Sequence, residues 1–167
     1  AYVLTSSGLS IVPLDQVNQQ NRPVLNNGAV TNVASGLTQV AQGGLVSIAG
    51  RNLAASGSSS TPAPPTILGG ACVTLNDLPL PLLSTSAGEI RTQLPPTLAP
   101  GRYPLVVRNV DAKVASQTQT ITISKYAPAI FTNPDTKQAQ IFRLSDNKPI
   151  TKSDPAKRDV PLVMFAT

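Results

Sequence analysis

The chain has 167 residues, 41% hydrophobic and 13% charged, with 13 Lys and Arg, 8 Asp and Glu, no His, no Trp and one Cys. This length suits one domain, or one domain and part of another, and a chain of this size buries roughly 70% of its unfolded surface without metals or disulfides. The charged share lies well below the roughly 25% of typical globular proteins, and no cationic cluster exceeds Lys157-Arg158, which argues against a nucleic-acid-binding stripe. No run reaches the ~18 apolar residues of a membrane span, and the first residues lack the charged and apolar regions of a signal peptide, so the sequence reads as a mature or excised piece. Its polar but sparsely ionised composition, with 16 Pro and 11 Gly among short Val, Ile, Leu and Thr runs, predicts an all-β extracellular or cell-surface module.

In chain order, Tyr2 to Thr5 and Leu9 to Leu14 read as two short strands around a Ser6-Ser7-Gly8 turn. Tyr2, Val3, Leu4, Leu9, Ile11 and Val12 give this hairpin its apolar positions, and because one hairpin is marginal in water it needs a surface to lie against. Residues 15–36 are rich in Asn and Gln, carry an Asn26-Asn27-Gly28 turn signal, and read as a linker entering a strand near Ala29 to Ala34. Strands are then expected at Leu45 to Ala49, Cys72 to Leu75, Leu80 to Leu83, Glu89 to Leu94, Arg102 to Arg108 and Thr118 to Ser124, with turn residues in each gap. Tyr103, Leu105 and Val107 share one strand face, and Ile121 and Ile123 share another. The segment 55–65, "ASGSSSTPAPP", has neither helical nor strand period and reads as a mobile surface loop. Seven short strands within about a hundred residues fit an immunoglobulin-like sandwich.

The chemistry of the side chains points away from catalysis. General acid–base work needs His or carboxylates with separated pKa values, and here there is no His and Glu89 is the one glutamate, set beside Arg91 at a strand start. Cys72 has no disulfide partner and no imidazole to activate it, so it reads as a small strand residue. Ser145 to Lys148, "SDNK", overlays two serine acyl-transferase motifs in one turn, where the motifs need separate elements, and a hairpin turn is the expected outcome. Asp135, Asp146, Asp154 and Asp159 are interleaved with Lys137, Lys148, Lys152 and Lys157 and read as solvated loops rather than a calcium site. Phe131, Phe142 and Phe165 sit in apolar strand contexts and are expected in a core, which leaves Tyr126 as the best exposed ring for a sugar. No cofactor, metal or catalytic residue is expected.

"GGLVSIAGRNLA" at residues 43–54 and "CVTLNDLPLPLLSTSAGEIRTQLPPTLAPGRYPLVV" at residues 72–107 resemble the TIG or IPT type of immunoglobulin-like domain. The resemblance rests on a Gly-led strand reaching the corner Gly50, Asn52, Leu53, on the Val73 to Asp77 strand turn, and on the Pro100 to Val107 strand. It is closest to uncharacterised C-terminal modules of large secreted bacterial proteins, and it covers roughly residues 26–167. The residues themselves give an N-terminal hairpin and linker over 1–25, and the resemblance implies a sandwich over 26–128 and the first strands of a second, similar domain over 129–167. "KRDVPLVMFAT", residues 157–167, then stands as the counterpart of "AQGGLVSIAGRN", an apolar strand whose Val160, Leu162, Val163, Met164 and Phe165 form an interaction edge with the hairpin residues named above. The role it implies is a non-catalytic structural or adhesive module that pairs strands with neighbouring domains or identical subunits in a fibre. The alternative is a polysaccharide-binding accessory domain of a secreted enzyme.

Overall fold

A computed structural model of the chain describes residues 21–167, together with the backbone of residues 2–5 and 8–11. Strands β1 (Tyr2–Thr5) and β2 (Gly8–Ile11) pair antiparallel, with Tyr2 opposite Ile11 and Leu4 opposite Leu9. Val12 and the expected turn residues Ser6 and Ser7 lie outside the described residues.

From residue 24 onward the chain builds two facing antiparallel layers. The first contains β3 (Val24–Asn32), β5 (Leu45–Arg51), β10 (Glu89–Gln93), β9 (Leu82–Thr85) and β6 (Gly57–Ser58), hydrogen-bonded in that order. The second runs β4 (Val40–Ala41), β13 (Gln119–Ser124), β11 (Gly101–Asn109), β7 (Ala71–Leu75) and β8 (Leu78–Pro79), with β12 (Val114–Ala115) folding back on β11. One pairing, β4 on β13, is parallel.

Alternation along the strands makes the core. Val46 and Ile48 of β5, Ile90 of β10 and Leu82 of β9 face Val73 and Leu75 of β7, Leu105 and Val107 of β11, and Ile121 and Ile123 of β13 within one buried cluster. Each fully buried side chain of this size contributes roughly 1.5–3 kcal/mol relative to an exposed one. Two threonines enter the same layer without leaving a hydroxyl orphaned: Thr92 donates to the Pro81 carbonyl at 2.7 Å and Thr85 to the Ala55 carbonyl at 2.8 Å. The two-residue turn Asn76-Asp77, which joins β7 to β8, holds both residues at positive φ, 49° and 62°, as a type I′ turn requires.

Several sequence expectations are corrected here. β3 begins at Val24, inside the expected linker, and Asn26-Asn27-Gly28 forms a bulge within the strand rather than a turn ahead of it: pairing jumps from Leu25↔Gly50 to Val30↔Ile48. Gly50 lies inside β5 instead of at a sharp turn. Its need is steric, because a Cβ there would run into the Val24 carbonyl and the Leu53 side chain. The corner falls two residues later, with Asn52 at φ 55° and Leu53 fully buried at the end of the sandwich. The Ser-rich segment 55–65 is not a free loop, since β6 pairs with β9 and the Pro65 carbonyl accepts from Leu82 N–H at 2.7 Å. Backbone pairing and the Thr85 hydroxyl on the Ala55 carbonyl hold it, and neither leaves a side-chain period in the segment. The strand expected at Leu80 to Leu83 divides into β8 and β9 around buried Leu80.

Candidate interaction surface

After β13 the chain leaves the sandwich through Lys125 to Pro128 and builds a small lobe over residues 129–167. Two side-chain contacts pin it. Asn32, buried, donates from Nδ2 to the Ala127 carbonyl at 3.4 Å while its Oδ1 accepts from Ala34 and Ser35 N–H; Thr167 Oγ1 accepts from Leu45 N–H at 2.8 Å.

The lobe is built from backbone pairing. Phe131 and Thr132 return along Ala139 and Gln140 across a turn in which Asn133 Oδ1 accepts from Asp135 and Thr136 N–H. β14 (Ile141–Arg143) then returns along Lys148 to Ile150, and the "SDNK" motif is this turn, with Asn147 at φ 54° and its N–H on the Arg143 carbonyl. The last strand, β15 (Leu162–Met164), pairs antiparallel with the other side of β14, Phe142 opposite Val163. Beyond Met164 the same edge changes partner: Phe131 N–H donates to the Phe165 carbonyl at 3.0 Å, and Ala129 and Thr167 exchange two bonds.

This arrangement leaves one rim open. In an antiparallel ladder successive residues direct their N–H and C=O groups to opposite sides. Pro161, Val163, Phe165 and Thr167 spend theirs inward, so Leu162, Met164 and Ala166 direct theirs outward, where no described residue accepts or donates. The sandwich edges are blunted instead: β4, β6 and β8 are two residues long and β3 carries the bulge.

The lobe also lacks an interior. None of residues 129–167 is buried. Met164 and Phe165 are each 52% exposed and Leu162 44%. Phe142 and Phe165 stack edge to face, centroids 5.8 Å apart, beside a shallow hollow of about 260 Å³ that Asn147 and Val163 complete. The core position expected for Phe131, Phe142 and Phe165 is therefore corrected: the sheet that carries them has no second layer among the described residues.

In place of packing, Arg143 gathers the loops. Its guanidinium grips Asp154 through both terminal nitrogens, with Nη1 to Oδ1 at 2.7 Å, while Nε donates to Asp146 at 3.2 Å. The Asp154 hydrogen bonds push the Arg143 pKa up, and the same bonds hold the Asp154 carboxyl below the usual carboxylate range. Asp146 is also lowered, first by the Lys148 N–H and then by Arg143. Asp135 and Asp159 take no part, and among the described residues no three His, Cys, Asp or Glu side chains come together as metal ligands would.

No family model and no curated protein matches this chain. The surface is therefore read from its geometry. Of the expected interaction residues, Val160 to Phe165 form or flank the open rim, and Tyr2, Val3, Leu4, Leu9 and Ile11 lie on β1 and β2. Glu89 accepts from Ser47 at 2.6 Å and from Arg91 at 3.2 Å, with the Ser47 bond foremost in lowering its pKa. Tyr126 is 70% exposed, with Lys125 Nζ 5.3 Å from its ring centroid, at a groove of about 500 Å³ that reaches Gln42 and Thr167. Arg143, Asn32 and Thr167 were not singled out by the sequence reading. For Asn32 a signal existed, since Asn followed by Val-Ala-Ser-Gly favours a side-chain-capped turn. Among the described residues no helix is long and apolar enough to cross a membrane.

Proposed function

We propose that this chain is a non-catalytic structural or adhesive module of a secreted or cell-surface bacterial protein, with an immunoglobulin-like sandwich of the TIG/IPT kind that joins neighbouring domains or identical subunits by strand pairing. The immunoglobulin-like part of the reading draws on strand order: β3-β5-β10-β9 and β13-β11-β7 match the ABED and GFC sheets of such sandwiches. It also draws on Tyr103, near the start of β11, whose Oη donates to the Ala99 carbonyl at 2.9 Å in the manner of a tyrosine corner.

The observation that carries the functional part is the open rim of Leu162, Met164 and Ala166 on a lobe with no buried side chain. A strand added there satisfies three outward backbone donors, and a second layer covers Phe165 and Met164 at roughly 25 cal/mol per Å² of apolar area. Residues 129–167 on this reading are the first strands of a second domain that another domain or subunit completes. Sedimentation velocity across protein concentration tests it. The native chain associates as concentration rises, and Met164→Pro, which deletes an outward N–H and spares the inward ladder, abolishes association. Association unchanged in Met164→Pro contradicts the reading.

The second reading, a polysaccharide-binding accessory domain, is favoured by the exposed Tyr126 ring beside its groove. Retention of the chain on an insoluble polysaccharide, lost in Tyr126→Ala, supports that alternative.

A further inference from the structure

The slot that β15 fills is lined on one side by β14 and, past Met164, by residues 129–131. Everything that recognises β15 there belongs to the rest of the same chain, so an identical copy presents an identical slot. The fit in trans is already displayed in cis: the same ladder, the same Phe142–Phe165 stack and the same Ala129–Thr167 bonds. What separates exchange from self-filling is how firmly β15 and its connector are held at home.

They are held by few contacts, and beyond the ladder and the aromatic stack the end of the segment is tied to the sandwich by the Leu45 N–H on Thr167 Oγ1 at 2.8 Å. No side chain of the lobe is buried, so withdrawing β15 opens no packed core. The connector, residues 151–160, is mostly exposed and spans roughly 33 Å when extended, enough to bridge two adjacent lobes. Within it, one local turn closes through Asp154 N–H on Thr151 Oγ1 at 3.0 Å, and the Asp154 carboxylate is the group gripped by Arg143 of β14. That grip ties the middle of the connector to the strand beside β15. We infer that β15 is an exchangeable strand whose second-copy partner slot is the one it fills at home, and that the Arg143–Asp154 pair is the latch that keeps it there. The inference rests on the reading that the lobe joins copies by strand pairing, and it assigns both the partner, a second copy of this chain, and the control.

The latch is acid-sensitive. Asp154 faces Arg143 of β14, Lys148 from the returning arm of the hairpin and Lys157 from its own connector, while Asp146 faces Arg143 and Lys148. The Lys148 backbone N–H is foremost at Asp146, and all the charged neighbours that act on these two carboxylates are cationic, so ionised carboxylates close the latch and protonated ones release it. The latch is fully closed above the ordinary aspartate range, about pH 4, and opens as pH falls through the lowered value of the paired Asp154 carboxyl.

Cysteine trapping tests the exchange. Ile141 and Met164 are directly opposed across the ladder without a mutual hydrogen-bonded pair, at a spacing a disulfide spans. In a Cys72→Ala background, Ile141→Cys and Met164→Cys chains are mixed, held either at neutral pH or in acid below the lowered range of the Asp154 carboxyl, returned to neutral pH and oxidised. A disulfide between the two chains forms only if β15 of one sits in the slot of the other. The expected result is a covalent mixed dimer that rises several-fold after the acid step, and rises without acid when both chains also carry Asp154→Asn. The double variant Ile141→Cys/Met164→Cys, oxidised alone, closes within one chain and reports that the slot is built. Closure within that chain with no mixed dimer under any condition overturns the inference, and so does failure to close. Association through the outer rim with no mixed dimer overturns the exchange and leaves the proposed function standing; a mixed dimer from chains that never associate natively does the reverse.

Discussion

Tyr103 condenses much of the sandwich into one contact. Its ring packs against the core cluster while Oη reaches back four residues to the Ala99 carbonyl, fixing the entry into β11. Tyr103→Phe keeps the ring and deletes the bond, so urea unfolding should show a loss of about 1 kcal/mol. Gly50 is constrained more severely, since any Cβ meets backbone in the Val24 carbonyl and not only a movable side chain. Gly50→Ala should cost about 1–3 kcal/mol through local overpacking, read from the same unfolding curve. At Asp154 the expected effect depends on pH. Because the folded carboxyl lies below its ordinary range, its contribution to the lobe is present above about pH 4 and is lost as pH falls through the folded value. Asp154→Asn should remove that acid limb from the lobe's thermal transition, and an unchanged acid limb would assign the pH dependence elsewhere.

Among the elements, the β7–β8 hairpin shows a sequence compromise. Asp77 sits at φ 62°, where glycine is free of the steric cost that other residues carry. Asp77→Gly should therefore stabilise the sandwich by roughly 0.5–1 kcal/mol in thermal unfolding. The strands that alternation and β-branched runs mark, β5, β7, β10, β11 and β13, were legible in the sequence within a residue or two. Those that were missed, β4, β6 and β12, are two residues long and paired through backbone alone, and a two-residue strand has no period to detect. Asn26-Asn27-Gly28 carries the signal of a turn because the same positive φ at Gly28 serves a turn or a bulge, and only the partner strand decides between them. For the candidate surface, Val160 to Phe165 was visible as an apolar run. The Arg143 grip was not, because Asp154 lies eleven residues away across a hairpin and a connector, and nothing local encodes that meeting.

Across the whole molecule two kinds of stability coexist. The sandwich is held by a shared buried cluster, and the lobe by ladders, one aromatic stack and a partly covered charge grip. Truncations should report the difference: Leu105→Ala in the core costs about 2–5 kcal/mol, whereas Phe165→Ala, half-exposed, should leave the unfolding of the sandwich unchanged. On the proposed function, the outward edge of β15 is open on the single chain and fills on association. Hydrogen exchange resolved to single amides, measured across protein concentration, reads the state of that edge. Leu162, Met164 and Ala166 should exchange at nearly the free-peptide rate in dilute solution and slow markedly as concentration rises, while Ile48 and Leu105 remain protected throughout. If those three amides are protected at every dilution, or stay fast while the chains associate, the rim is not the joining surface.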